Sequence, residues 1–160
     1  MSIVVEDGTQ VTGANSYVTV ANIETYADQR GITLTMDPEV LAIRSMDYIE
    51  AQRFIGTKVS STQALQWPRT GVYIDGFEVP TTMIPVEVKY GQLATAMAID
   101  AGNDPLASVQ RGVKMQQVGD LKVEYDESGN VTLNRAINAA LGKVLAGSGG
   151  GISSFSVERA

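Results

Sequence analysis

The sequence contains neither cysteine nor histidine among its 160 residues. Their absence removes thiol nucleophiles, disulfides, zinc sites of the usual composition and the imidazole that most often performs acid–base catalysis. Carboxylates and tyrosines remain, but they form no recognisable catalytic constellation. We therefore expect no enzymatic activity, no cofactor and no bound metal.

Long apolar runs are also missing, and so is an excess of positive charge. No stretch of about eighteen apolar residues is present to span a membrane, and the N-terminus lacks the basic start and apolar centre of a signal peptide. We therefore expect synthesis in a cytoplasm and no membrane partner. The net charge is −6, from 12 basic and 18 acidic residues. This balance argues against tight DNA binding, because proteins that hold phosphates usually present an excess of Lys and Arg.

The rest of the composition is that of an ordinary globular protein. With 44% hydrophobic and 19% charged residues, a chain of 160 residues can bury a core without cross-links. Sequence patterns predict a mainly α fold: a small bundle of about four helices with an inserted β-hairpin and extended N- and C-terminal segments. We divide the chain into a helical domain over residues 1–146 and a flexible hinge with a C-terminal arm over residues 147–160.

The helices are predicted from apolar periodicity and from residues typical of helix ends. The predicted spans are Thr19 to Gly31, Asp37-Pro38 to Arg53 or Phe54, Val86 to about Ala101, and about Leu133 to Leu145. The third helix shows one apolar face, which consists of Tyr90, Leu93, Ala94, Met97 and Ala101. Gly91 in the same helix indicates a close approach by a neighbouring backbone.

A β-hairpin is predicted between residues 112 and 125, where apolar and charged residues alternate around a Gly119-Asp120 turn. A two-stranded ribbon is marginally stable alone, so we expect it to pack on the helices or to contact neighbouring subunits. A smaller hairpin is predicted around Asp75-Gly76, a favourable type I′ dipeptide. The residues expected at the contact of the larger hairpin are Val118, Leu121, Val123 and Tyr125.

The segment Thr62–Val72 stands out in the long connection between the second and third helices. It contains Trp67, the only tryptophan, followed by Pro68 and Arg69. An aromatic anchor in a long connection either packs onto its own domain or meets a partner, for example a neighbouring subunit. A further alternative is that Trp67 stacks a nucleic-acid base while Arg69 holds a phosphate.

The C-terminal segment combines a glycine-rich hinge with apolar residues. Gly147–Gly151 is flexible by composition, and Ile152, Phe155 and Val157 follow it, with Arg159 beyond. Polar residues are usual in a disposable tail, so this pattern favours an arm that docks elsewhere. Cations elsewhere form at most a loose basic strip, made of Arg44, Arg53, Lys58 and Arg69. The simpler interpretation is that they pair with the surplus acids or line a subunit contact.

Three blocks in this order resemble one known family. The blocks are Gly13–Val20, Thr62–Val72 with Ile84-Pro85 and Val88-Lys89 beyond it, and Gly112–Lys114 leading into Val118–Tyr125. Together they are similar to the head–tail adaptor, or head-completion, proteins of tailed bacteriophages, a group also labelled DnaT-like single-stranded DNA-binding proteins. The family pattern often has an acid three residues after the first helix N-cap. This chain has Asn22 there, which weakens the expectation of a capping box.

The resemblance implies a subunit that assembles as a ring, commonly twelve-fold, beneath the portal of a DNA-filled capsid. Such a ring extends the exit channel for genomic DNA without binding it specifically, and it joins the head to neck or tail-completion proteins. The resemblance further implies that the C-terminal arm reaches the portal and that the mature location is the virion neck. Our first hypothesis is this non-enzymatic adaptor, and the alternative is a single-stranded DNA-binding module.

Overall fold

The computed structural model describes residues 2–107, 116–118, 121–123 and 128–147. Within these residues the helices are α1 (Val20–Asp28), α2 (Pro38–Glu50), α3 (Val86–Asp100) and α4 (Ser128–Leu141). Short strands pair as antiparallel ribbons: β1 (Thr57–Lys58) with β2 (Arg69–Thr70), β3 (Tyr73–Ile74) with β4 (Phe77–Glu78), and β5 (Gln116–Val118) with β6 (Leu121–Val123). The predicted fold class, a mainly α protein with inserted hairpins, is confirmed.

Local capping residues begin the first two helices. The backbone N–H of Asn22 donates to the Thr19 hydroxyl at 3.1 Å, and the Asn22 side-chain oxygen accepts from the Thr19 N–H at 3.0 Å. This is a complete capping box, so the expectation drawn from Asn22 was wrong, because an amide oxygen accepts this bond as a carboxylate would. At α2, the Asp37 carboxylate accepts from the Glu39 N–H at 2.8 Å, as predicted for an N-cap.

Helix α3 lies at the centre of the molecule and contacts each of α1, α2 and α4. The prediction of a single apolar face was wrong. Tyr90 is 49% exposed, whereas Val88 and Ala96 on other sides of the helix are fully buried. The physical reason is that a central helix has neighbours on several sides, so its buried positions do not follow one stripe.

Gly91 permits the close contact between α3 and α4. A Cβ atom placed on Gly91 would lie 2.2 Å from Cδ2 of Leu141, far inside van der Waals contact. The predicted close approach at Gly91 is therefore present, although a leucine side chain makes it rather than a backbone.

Two helices have boundaries that differ from their predictions. Helix α2 ends at Glu50, before Arg53, because the following backbone pairs with the segment after α4: Ile55 N–H donates to the Val144 carbonyl at 2.9 Å. Helix α4 already begins at Ser128, before the predicted start at about Leu133, and it ends at Leu141, before the predicted end at Leu145. The apolar residues after α4 are therefore buried outside a helix.

The N-terminal segment is extended, as predicted, and long-range hydrogen bonds hold it on the bundle. Its Tyr17 N–H donates to the Gln92 side chain at 2.9 Å, and the Gln92 amide donates to the Ser16 hydroxyl at 2.8 Å. Gln92 is completely buried in α3. The core accommodates its amide because these hydrogen bonds satisfy the polar atoms.

The small hairpin β3–β4 is confirmed, with Asp75 and Gly76 at φ values of 51° and 86°, as its turn requires. The antiparallel pairing of β5 with β6 is confirmed too. The Gly119-Asp120 turn and Tyr125 lie outside the described residues. The contacts expected for Val118, Leu121 and Val123 remain predictions, as does the division of the chain at residue 147. The β1–β2 ribbon was not predicted.

Candidate interaction site

The Trp67 side chain is buried within the domain. It has no exposed surface, and its ring meets Phe54 edge-on at 5.7 Å between centroids. The Trp67–Pro68 peptide is cis, and the Trp67 N–H donates to the Tyr17 hydroxyl at 3.1 Å. The indole therefore anchors its loop to the core and offers no free face on which a base could stack.

The guanidinium group of Arg69 is bonded internally. Its Nε donates to the Ile55 carbonyl at 2.8 Å, and one terminal nitrogen donates to the Gly56 carbonyl at 2.7 Å. The other terminal nitrogen donates to the Gln66 side chain at 3.0 Å. Desolvation lowers the pKa of Arg69. Since its donors already have carbonyl partners, this cation ties the loop to the segment after α2 rather than presenting itself to a phosphate.

A half-buried carboxylate completes the attachment of this loop. Glu50 accepts the Tyr17 hydroxyl at 2.7 Å and the Gln66 N–H at 2.9 Å. Burial raises the pKa of Glu50, and burial beside that carboxylate also raises the pKa of Tyr17. The network has the perturbed titration of a reactive site, but every group in it is bonded to the loop or to its neighbours, so its role is structural.

The loose basic strip is divided among separate contacts. Arg44 pairs with Asp104 at 2.7 Å, as the simpler interpretation expected. A backbone bond from Leu106 and the bond from Arg44 lower the pKa of Asp104. Lys58 pairs through its backbone with Arg69 in the β1–β2 ribbon. These cations do not form a shared groove.

An exposed apolar groove lies between the β3–β4 hairpin and the start of α3, and we call it the hairpin groove. Its volume is about 530 Å³. Phe77 is 78% exposed, Val86 54% and Met83 50%, and all three line the groove. The remaining lining residues are Ile74, Glu78, Val79, Pro80, Ile84, Pro85, Glu87 and Lys89.

Local sequence explains why Phe77 is left outside the core. The Asp75-Gly76 turn closes the hairpin on itself, and the two strands satisfy each other in the register Ile74 with Phe77. A two-residue strand does not wrap around the bundle, so the ring projects from the turn. The hairpin is held to the segment after α4 by Lys143, whose ammonium donates to the Asp75 carboxylate at 2.5 Å.

A second depression, the tyrosine cleft, adjoins the hairpin groove and shares Val86 and Lys89 with it. Its volume is about 300 Å³. Tyr26 and Tyr90 line it, with ring centroids 6.2 Å apart, and the guanidinium of Arg30 lies 3.3 Å over the Tyr26 ring. The two depressions form one exposed face with aromatic and apolar groups and few cations.

Sequence reasoning did not single out this face. The signal was available at Phe77, an aromatic residue directly after a two-residue turn, where a short hairpin has no buried side to receive it. Nothing comparable marked Tyr90, which was assigned to the apolar face of α3. The C-terminal arm residues Ile152, Phe155, Val157 and Arg159 lie outside the described residues.

The fold and this face define a mainly α protein with an exposed apolar groove. A family model described as "Putative DnaT-like ssDNA binding protein" matches residues 1–160, and the chain belongs to that family. Comparison with curated proteins and with solved structures gave no match. In the part of the chain that the structure describes, no helix is long and apolar enough to cross a membrane.

Proposed function

We propose that this protein is the head-to-tail adaptor of a tailed bacteriophage, a structural subunit that forms a ring beneath the portal. The observation that carries the proposal is the hairpin groove, in which Phe77 is 78% exposed and Val86 and Met83 are at least half exposed. Adjacent apolar side chains on a surface are typical of protein–protein contacts. The three sequence blocks that resemble the adaptor family support the same function.

In the assembled ring, the hairpin groove contacts the neighbouring copy. A closed ring requires two different and complementary faces on each subunit, and the groove supplies one concave face. The proposed ring has about twelve copies, as the resemblance implies. It extends the DNA exit channel, and neck or tail-completion proteins bind its far side.

The charge of the chain suits a channel through which genomic DNA passes without specific binding. The net charge is −6, and acidic walls repel phosphates rather than retain them. The C-terminal arm, with Ile152, Phe155, Val157 and Arg159, attaches the ring to the portal in this proposal. The mature location is therefore the virion neck.

The proposal is tested by mixing the purified protein with its portal and imaging the complex by electron microscopy. Rings with cyclic symmetry are expected on portals for the unmodified chain. Phe77→Asp should abolish them, because a charge placed in a buried contact costs about 2 kcal/mol or more, equivalent to at least about thirtyfold in affinity. Leu106→Asp is the matched control, since Leu106 is 49% exposed and lies outside both depressions.

A second test addresses the arm. Deleting residues 148–160 should abolish portal attachment without unfolding the domain, because the described helices and their contacts precede this segment. Attachment that survives the deletion would remove the arm from the proposal. Absence of the protein from purified virions would remove the adaptor function altogether.

The second candidate function is binding of single-stranded DNA, and the description of the family favours it over the adaptor. The tyrosine cleft is the place where the described surface offers aromatic rings beside cations: Tyr26 and Tyr90 with Arg30 and Lys89. Bases stack on such rings, and cations contact the adjacent phosphates. The Trp67 and Arg69 mechanism considered from the sequence is not part of this candidate, because both side chains are buried.

This candidate is tested by fluorescence anisotropy with a labelled oligothymidine at low and high salt. Binding by the cleft predicts an affinity that falls with salt and that Tyr90→Ala weakens by about tenfold. Tyr73→Ala is the control, because Tyr73 is 60% exposed and lies outside the cleft. No binding at low salt would exclude the candidate.

A further inference from the structure

We propose that the segment Ile152–Val157 occupies the hairpin groove of its own chain until the protein meets its assembly partners. The segment would then cover the apolar surface that contacts the neighbouring copy in the proposed ring. The adaptor function enters this inference only in naming the portal and the neighbouring copy as the molecules that displace the segment. The docking itself is a property of the chain alone and is tested alone.

The groove provides an apolar site of suitable size. Its volume of about 530 Å³ lies in the range of sites that enclose small ligands, about 300–1,000 Å³. Phe77, Met83 and Val86 expose at least half of their surface to water. Covering apolar surface stabilises a protein by about 25 cal/mol for each Å² removed from water, so an occupant is favoured even before assembly.

The last described residues, up to Gly147, follow a contact with the hairpin that borders this groove. Lys143, just after α4, donates to Asp75 in the turn of the β3–β4 hairpin at 2.5 Å. Farther along, the Ala146 N–H donates to the Arg53 carbonyl at 2.8 Å, which fixes the backbone up to the start of the glycine-rich stretch. The tether therefore starts from an anchored backbone, and Gly147 lies four residues beyond the Lys143 contact with the hairpin.

The sequence beyond Gly147 has the length and the composition to reach the groove. Thirteen residues follow Gly147, and an extended chain spans about 3.3–3.6 Å for each residue. Ile152 can thus lie up to roughly 17 Å from Gly147, and Val157 up to roughly 34 Å. The tether is rich in glycine and serine, and Ile152, Phe155 and Val157 supply apolar side chains that can cover the apolar lining of the groove.

The charges near the groove also match those of the segment. Glu78, Glu87 and Lys89 line the groove, and Glu158 and Arg159 directly follow the apolar part of the segment. A segment that carries both signs can place each charge near an opposite one. A uniformly acidic or basic segment could not do this.

The segment of the same chain is a better occupant than that of a second copy. A short flexible tether gives the attached segment an effective concentration in the millimolar range, whereas a second copy at micromolar protein concentration is about a thousandfold more dilute. A partner that needs the groove must first displace the segment, and its apparent affinity falls in proportion to the fraction of open grooves. In the adaptor proposal, capture of the arm by the portal opens the groove for the neighbouring copy.

The natural absence of cysteine makes the test direct. Phe155→Cys is combined with Met83→Cys, at a half-exposed position of the groove, and the doubly substituted chain is oxidised mildly with no portal present. We expect a disulfide within one chain, seen as an oxidised monomer with faster migration on a non-reducing gel. The control pairs Phe155→Cys with Leu106→Cys, an exposed position outside the groove, and should cross-link at least about tenfold more slowly, because it lacks the docked geometry.

Each outcome decides the inference. Equal rates for the two pairs mean that the segment does not dock, and disulfide-linked dimers as the main product mean that a second copy fills the groove; either result overturns the proposal. The adaptor function fails separately, through the absence of rings on portals. A fast intrachain cross-link in a protein that never forms rings would preserve the docking and remove the adaptor.

Discussion

The loop around Trp67 and the β3–β4 hairpin lie next to each other in the sequence, yet they place their aromatic residues oppositely. Trp67 is completely buried, whereas Phe77 is 78% exposed. Hydrogen bonds to distant residues fix the backbone around the tryptophan: Glu50 accepts the Gln66 N–H, and the Tyr17 hydroxyl accepts the Trp67 N–H. Arg69 of the loop donates in turn to the Ile55 carbonyl. The two strands of the hairpin pair with each other, so the backbone of the hairpin is hydrogen-bonded without groups from the core.

This difference distinguishes an aromatic residue that anchors a loop to the core from one that is free to contact a partner. An aromatic side chain is an anchor when long-range hydrogen bonds fix the backbone around it, because those bonds hold the ring against the core. It is available to a partner when its backbone is satisfied locally.

The largest effect is expected at the anchor. Trp67→Ala should reduce the free energy of unfolding by about 3–5 kcal/mol, because it removes a fully buried ring and leaves a cavity beside Phe54. Urea denaturation monitored by circular dichroism measures the change. A variant of normal stability would show that the loop is not attached through its indole.

The next effect is expected at Arg69. Arg69→Met should reduce the free energy of unfolding by about 2–3 kcal/mol, since the Ile55 and Gly56 carbonyls lose their charged donor. Lys89→Met is the matched control on the exposed face and should change stability by no more than about 0.5 kcal/mol. Equal losses in the two variants would remove the distinction between the loop and the exposed face.

A smaller, pH-dependent effect is expected at Glu50, whose pKa burial raises in the folded protein. A carboxyl group of this kind stabilises the fold most below its unfolded pKa of about 4.3, and this contribution is lost as pH rises through the raised folded pKa. Glu50→Gln removes the titration but keeps an oxygen acceptor. The unmodified protein should therefore gain stability relative to Glu50→Gln as pH falls from neutral toward about 4.5.

Denaturant titrations of both proteins at several pH values check the sign of this effect. A difference that stays constant across the range would mean that Glu50 titrates normally and that the carboxylate is more hydrated than its half-buried position indicates. The opposite slope would mean that the bonds from Tyr17 and Gln66 outweigh burial.

The smallest effect on stability is expected at the hairpin. Phe77→Ala should change the free energy of unfolding by no more than about 0.5 kcal/mol, because its ring is largely in water. Differential scanning calorimetry measures the change, and the same variant should be impaired in assembly on the portal. A loss of unfolding free energy as large as that of Trp67→Ala would mean that Phe77 also anchors its segment to the core, contrary to the distinction drawn here.

Sequence reasoning succeeded wherever the cause of a structure was local. Thr19, Asp37 and the Asp75-Gly76 turn acted on backbone groups within a few residues, so their helices and hairpin were predicted. It failed at α3, where Tyr90 is exposed and Val88 is buried, because the positions of three neighbouring helices decide which sides are covered. It also missed the β1–β2 ribbon, since Thr57 and Thr70 meet only after the loop has folded back.

The amino-acid sequence by itself determined the number of helices, where most of them begin, the acidic balance, and the absence of thiol and imidazole chemistry, because these depend on composition and on neighbours along the chain. Only the tertiary structure decided which aromatic residues lie inside. The burial of Trp67 depends on groups brought from distant positions, among them Tyr17 and Glu50, whereas Phe77 stays exposed because its short hairpin pairs only with itself. Such long-range contacts form only when the chain is compact, so the exposed groove is a property of the fold.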